Sequence, residues 1–187
     1  YSVRAITEFG TTPRPTTTLI RSKTSAPYKV GDYYNDGTNE GIVFEGDDDG
    51  WHGKIVSLDY SKEKWAVAAV YENKTGATAI TGGMSNMNKI KKLPNWKVNY
   101  PAFAWCATLG NEWYLPAKDE LVLIYKNKDA VNMGLSRRGY EGLTSVYWSS
   151  TEYDEDRAWY VDMNDGYTSY YNGNKNYVNY VRAVSAF

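Results

Sequence analysis

The 187-residue chain holds one cysteine, one histidine and six prolines, and its net charge is −1. One cysteine excludes an intramolecular disulfide, and with one histidine it excludes a Cys/His zinc site. A near-neutral balance with no basic stripe argues against nucleic acid as a partner, and Lys89, Lys91 and Lys92 read as a solvated face. No apolar run approaches the roughly 18 residues that a membrane-spanning helix needs. The chain has no G-x-S-x-G nucleophile elbow and no phosphate-cradling glycine loop. His52, between Trp51 and Gly53, reads as a packed or hydrogen-bonded turn histidine, and Cys106, in Ala104-Trp105-Cys106-Ala107, as a buried inert thiol. Asp47-Asp48-Asp49 before Gly50 lacks the spaced oxygens of an EF-hand loop and reads as a solvated turn. The expectation is a protein that is not an enzyme and uses no cofactor or metal.

Aromatics, by contrast, are abundant, with 18 tyrosines and 7 tryptophans. The length suits one domain, or one domain with an attached arm. Residues 1–25 form the arm and residues 26–187 the domain. Thr11-Thr12-Pro13-Arg14-Pro15-Thr16-Thr17-Thr18 reads as an extended linker, because proline fixes φ and removes backbone donors. Ahead of it, Val3-Arg4-Ala5 repeats Val181-Arg182-Ala183, and Phe9 matches Phe187. Tyr1–Phe9 is then the last strand of a preceding similar module, an N-terminal strand of this domain, or a chance echo.

The chain from Tyr28 reads as sheet and turn. A strand runs into the Asn35-Asp36-Gly37 turn, Glu40–Phe44 follows, and Gly53–Leu58 returns after the aspartate turn. Trp65–Tyr71 reads as a strand or a buried helix. Helices are expected over Ala77–Ile90, capped by Thr78 or Thr81, over Tyr100–Leu109, and from Pro116 with Asp119 and Glu120 in the first turn. Asn127 to Asn132 is expected to end the third. From Val146 the period is two: Trp159, Val161 and Met163 point in, Tyr160, Asp162 and Asn164 point out, and Asn164-Asp165-Gly166 makes a hairpin turn. Tyr180–Phe187 is apolar enough to be one central strand. Two to three helices with a mixed, mostly antiparallel sheet and long loops make an α+β domain.

The segment Tyr153–Tyr180 carries the functional signal. Sixteen of its 28 residues are Tyr, Asn or Asp, too polar for a core and too aromatic for ordinary disorder. Antibody paratopes share this composition. Tyrosine offers large, rigid contact at small entropy cost, and asparagine and serine add adaptable hydrogen bonds. The candidate binding residues are Tyr153, Asp154, Asp156, Tyr160, Asp162, Asn164, Tyr167, Ser169, Tyr170, Tyr171, Asn172, Asn174, Asn176, Tyr177 and Asn179. The acids Glu152, Asp154, Glu155 and Asp156 lie too close in sequence to flank a glycosidase cleft and read as a solvated loop or binding rim.

Four segments occur in order: Trp113-Tyr114-Leu115-Pro116-Ala117-Lys118-Asp119-Glu120-Leu121, Tyr147-Trp148-Ser149-Ser150-Thr151-Glu152, Ala158-Trp159 and Tyr180-Val181-Arg182-Ala183-Val184. Together they resemble the domain family named after the C-terminal domain of the Legionella collagen-like adhesin. Gly53–Leu58 and Tyr100–Cys106 are similar to its members from gut Bacteroides-type bacteria, and the likeness covers about residues 28–187. The resemblance implies a C-type-lectin-like fold, an extracellular or cell-surface location, and adhesion to a protein or glycan on another cell or surface, with neighbouring modules of the same type. The adhesin's link to sulfated glycans meets an acidic rather than basic stretch here. The tail Trp148–Phe187 is also similar to variable regions of diversity-generating retroelement target proteins. That resemblance implies fixed scaffold at Trp148, Trp159, Gly166 and Arg182 and exchangeable residues between them. The sugar-site motifs of calcium-dependent lectins are absent, and the formylglycine-generating enzymes of the same fold rely on reactive cysteines that this chain lacks.

Overall fold

The computed structural model describes residues 27–187. The readings of Tyr1–Phe9, the Thr/Pro linker and the arm over 1–25 lie outside the described residues. Two sheets form the frame. The first contains β1 (Tyr33–Asn35), β2 (Glu40–Gly46), β3 (Gly53–Val56) and β9 (Val184–Ala186), antiparallel in the order β1-β2-β3-β9. The second contains β4 (Ser61–Lys64), β5 (Val146–Glu152), β6 (Ala158–Asp162), β7 (Thr168–Ser169) and β8 (Val178–Val181), in the order β4-β8-β5-β6-β7. Its pairings are antiparallel except β5 with β8, which run parallel at Tyr147 and Tyr180. The helices are α1 (Gly83–Ile90), α2 (Trp96–Asn99), α3 (Pro101–Thr108), α4 (Lys118–Lys126) and α5 (Lys128–Arg137). The expected α+β class with mostly antiparallel sheet is what the chain adopts.

Five helices exceed the two or three expected, and the reasons are local. Asn127 ends α4 but also starts α5, and its side-chain amide donates to the Phe44 carbonyl at 2.9 Å, so it is a joint between two helices. The first helix starts at Gly83, six residues later than expected, and neither threonine caps it. Glu120 of α4 accepts instead from the Gly83 N–H at 3.0 Å. The same carboxylate accepts from the Ala117 N–H at 2.8 Å and the Tyr114 hydroxyl at 3.0 Å, and Lys54 sits 3.2 Å away. One buried acid therefore closes two helix starts, as a third-position glutamate does for its own helix.

Trp65–Tyr71 is neither strand nor helix but a series of turns that follows β4. Trp65 is apolar and fully buried because its indole plugs the core and donates to the Ser149 carbonyl at 2.9 Å. The strand beside it, Ser-Lys-Glu-Lys, lies at a sheet edge, where charged side chains suit exposure and hide the strand from an apolar pattern.

Tyr180–Phe187 is not one strand. It is β8 in the interior of one sheet, then Arg182-Ala183, then β9 at the edge of the other. Arg182 marks the crossing. It is 1% exposed, and its guanidinium donates to the carbonyls of Ser57 and Leu58 at 2.9 Å each and of Glu141 at 2.8 Å. Its apolar neighbours are buried because the crossing lies between the sheets.

Candidate functional site

The Tyr/Asn-rich segment Tyr153–Tyr180 wraps β6, β7 and the approach to β8. Its turns are closed by their own side chains. The Asp162 carboxylate accepts from the Asn164 N–H at 2.9 Å and its amide at 2.8 Å, and Asp165 accepts from the Tyr167 N–H at 2.8 Å. Gly166 takes a φ of +80°, and a β-carbon there would lie 2.3 Å from the Tyr125 ring, so only glycine suits this turn. Further on, Tyr160 donates its hydroxyl to the Tyr171 carbonyl at 2.7 Å, and the Tyr171 N–H donates to the Ser169 hydroxyl at 2.9 Å. The Tyr171 backbone is thus held at both ends while its ring stays 68% exposed.

A second group gathers where β5 meets β6. The rings of Tyr153 and Tyr170 stack with centroids 3.4 Å apart, and Trp159 meets both edge-on at 5.7 and 4.9 Å. The Arg157 guanidinium lies over Tyr153 and Tyr170 at 5.1 and 5.4 Å, and Lys118 lies 5.2 Å from the Trp159 ring. Asp154 Oδ2 accepts from Arg157 Nε at 3.0 Å and from its Nη2. Its partial burial opposes ionisation, but hydrogen bonds from Arg157 outweigh that and hold the carboxyl below its usual range.

The sequence-predicted residues divide into three sets. Tyr153, Asn164, Tyr167, Tyr171, Asn172 and Tyr177 are exposed. Asp154, Asp156, Tyr160, Asp162, Tyr170, Asn174, Asn176 and Asn179 are half-buried. Ser169 is buried and serves the backbone of Tyr171, so its outward assignment is corrected. Two facings are corrected as well. Tyr160 packs against the core and meets Trp148 edge-on, while Trp159, read as inward scaffold, joins the outer aromatic group. The register of β5 against β6 shifts between Trp148 and Glu152 with the extra residues on β5, and β5 is buried on both faces, so alternation along β6 does not separate core from solvent. Asn179, on β8 two strands from β6, pairs with Glu63 of β4, so it is not brought together with the hairpin tip.

Sequence reasoning missed Lys175. It is fully buried, and its ammonium donates to Glu155 O at 2.6 Å, to Glu152 Oε2 at 3.0 Å and to Asn73 O at 3.2 Å, beneath the Trp65 ring at 4.9 Å. Glu152, read as part of a solvated cluster, is buried and also accepts from Thr75 N and Oγ1 at 2.7 Å each and from Gly76 N at 3.2 Å. Its solvated reading is corrected. The available signal was position, since Lys175 is the sole cation between Arg157 and Arg182. Next to it, a β-carbon on Gly173 would lie 2.4 Å from the Ala158 carbonyl, so the loop is seated tightly on β6.

Other candidate chemistry resolves into structure. Cys106 is buried, and burial pushes its thiol well above the ordinary value. Asp47 accepts from the Gly50 and His52 N–H groups, and Asp49 from that of Trp51, which makes the aspartate run a turn closure. Among the described residues no group of His, Cys, Asp or Glu is placed to hold a metal. No helix among them is long and apolar enough to cross a membrane. A depression of about 190 Å³ lies between Glu40, Ser57, Asp59, Leu109, Trp113 and Tyr140, away from the tyrosine-rich segment.

An α+β module of two mostly antiparallel sheets, with an aromatic and amide surface on its last strands, is the class that this geometry defines. The chain belongs to the Lcl C-terminal domain family, that of the Legionella collagen-like protein, whose model matches residues 65–185. No curated protein matches it by sequence. A fimbrial protein from Bacteroides ovatus, known from its crystal structure, shares the fold with a TM-score of 0.65 at 18% identity. The likeness covers 86% of this chain and 49% of that one, so this chain spans about half the length of that protein. The family resemblance read from the ordered motifs is upheld, with Gly53–Leu58 falling outside the matched residues.

Proposed function

We propose that the chain is an extracellular binding module without catalytic activity. In this reading its Tyr/Asn-rich face, on a C-type-lectin-like scaffold, contacts a protein or glycan on another surface. One observation carries it: all four exposed tyrosines among the described residues, Tyr153, Tyr167, Tyr171 and Tyr177, fall in this one segment. Exposed aromatic area on a backbone already tied by its own hydrogen bonds lowers the ordering cost of association. Membership of an adhesin-derived family supports the surface location.

The test replaces Tyr167, Tyr171 and Tyr177 with alanine together. Their exposed rings contribute little to the core, so the melting temperature should fall by less than about 3 °C. Binding to immobilised glycans or whole cells, read by flow cytometry, should drop at least about tenfold. Unchanged binding at full stability would remove this face from the reading.

The retroelement likeness adds that these outward positions are diversified while Trp148, Trp159, Gly166 and Arg182 stay fixed. The marker is a downstream near-copy of the tail's coding DNA that differs only at adenines, and its absence would end that part. A second reading, a structural subunit of a surface fibre, is favoured by the fold shared with a fimbrial protein. Concentration-dependent assembly that buries the tyrosine face would select it.

A further inference from the structure

Two depressions, of about 190 and 210 Å³, adjoin beside the Asn35–Glu40 turn and share Thr38 and Glu40. Leu58, Leu109 and Trp113 give the first an apolar wall, and Asp59 and Tyr140 complete it. The lining is held in place by its own hydrogen bonds. Asn35 and Asp36 accept from the N–H groups of Gly37, Thr38 and Asn39 at 2.7–2.8 Å, which closes the turn. The Trp113 indole N–H donates to Asn39 Oδ1 at 2.8 Å, and the Ser57 hydroxyl donates to the Asp59 carbonyl at 2.8 Å. The outward polar groups stay available. The Asp59 carboxylate and the hydroxyls of Thr38 and Tyr140 make no hydrogen bond among the described residues. Glu40 engages Tyr33 and Asn35 through one oxygen and leaves the other for a ligand.

These groups select a ligand class. No lysine or arginine lines either depression, so an anion would meet carboxylates and no counter-charge. A cation is not favoured either, because both acids already have a guanidinium nearby. Arg182, tied to the Ser57 and Leu58 carbonyls, attracts Asp59, and Arg138 lies 3.5 Å over the ring of Tyr33, whose hydroxyl bonds Glu40. What fits is a neutral molecule with several hydroxyl donors and an apolar face. Each depression is smaller than the roughly 300 Å³ at which sites for drug-sized ligands begin, so each suits a single ring. We propose that this is a second binding site, for an uncharged pyranose at the end of a glycan, with its C–H face on Leu109 and Trp113 and its hydroxyls donating to Asp59 and Glu40. The adjoining depression leaves room for the next ring. None of the lining residues belongs to Tyr153–Tyr180, so the site is separate from the tyrosine face.

The test titrates the full 187-residue chain with methyl glucoside, methyl galactoside and methyl mannoside. The indole N–H of Trp113, assigned through Trp113→Phe, is followed by NMR. At least one sugar should move that signal with a Kd of about 1 mM, the range for so small a ligand. No movement with any of them at about 50 mM would overturn the proposal. The matching disaccharide should bind at least as tightly, and weaker binding would mean a closed pocket for a free sugar and overturn the glycan assignment. Sulfated glucose and methylguanidinium should each bind at least about fivefold more weakly than the neutral sugar. Equal or tighter binding of either would overturn the ligand class. Asp59→Ala should weaken the sugar about tenfold and Tyr140→Phe about threefold, with melting within about 3 °C of the parent, since neither side chain has a hydrogen bond to lose. Full affinity in both would overturn the site. Replacing Tyr167, Tyr171 and Tyr177 with alanine should leave the sugar response unchanged, which separates this site from the tyrosine face. A response lost in that variant would move the sugar to the tyrosine face and end the proposal.

Discussion

Replacing Lys175 with methionine is expected to cost about 3–5 kcal/mol, because it removes one partner of a buried ion pair and strands the other. Glu152 would keep its bonds from Thr75 and Gly76 but lose the cation 3.0 Å away, in a site with 3% of its side chain exposed. For a domain of this size that corresponds to a melting temperature lower by roughly 6–20 °C. Adding Glu152→Gln should recover part of the loss, since the stranded charge is gone. A double-mutant cycle then isolates the pair. If Lys175→Met alone melts like the parent, the ammonium is not holding the tail. The pH dependence has a defined sign. Burial pulls the ammonium's pKa down against the opposing hydrogen bond to Glu152. The unfolded chain therefore binds the extra proton, and this group's contribution to stability rises with pH up to the unfolded lysine value of about 10.4. The difference between parent and variant should widen along that climb, measured by urea melts.

The arrangement separates what holds the loop from what meets a ligand. Lys175, Gly173 and Gly166 seat the backbone, and Tyr167, Tyr171 and Tyr177 project from it. A surface built this way tolerates replacement of its outer side chains, because their loss exposes no buried partner. The same logic makes the seating residues intolerant, although they lie among the outer ones in sequence.

Much of the frame was legible in the residues. The hairpin through Asn35-Asp36-Gly37, the helix after Pro116 and the Asn164-Asp165-Gly166 turn each carry a local signal that tertiary structure leaves intact. Failures came where a residue's role is set from a distance. Gly83 starts a helix because Glu120, 37 positions later, receives its N–H. Ser-Lys-Glu-Lys is a strand because β8 pairs with it. Tyr160 packs inward and Trp159 joins the outer aromatics because β5 beside them is buried on both faces, which no period-two pattern in one strand reveals. Of the site, composition located the segment and all four tyrosines exposed among the described residues. It could not distinguish Lys175 and Ser169, whose burial follows from contacts with residues far away in the chain or from a turn's geometry.

Arg182 tests the other half of the frame, and its removal differs in kind from that of Lys175. Its three carbonyl partners are neutral, so Arg182→Ala strands no charge; it leaves acceptors at Ser57, Leu58 and Glu141 without their donor, around a cavity the size of a guanidinium. Each unpaired buried acceptor costs about 1–3 kcal/mol, and the void adds to that, so the loss should equal or exceed that of Lys175→Met. Arg182→Lys should rescue little, since one ammonium cannot reproduce a planar fork aimed at carbonyls on two separate loops. Because those carbonyls lie where β3 runs on toward β4 and where α5 leads toward β5, the two sheets would lose their shared fastening at the point where the chain passes between them. The expected readout is early hydrogen exchange at β8 and β9 together, in both variants. Protection that survives in Arg182→Lys at the parent's level would mean that packing of Val181, Ala183 and Val184, rather than the arginine clamp, holds the crossing.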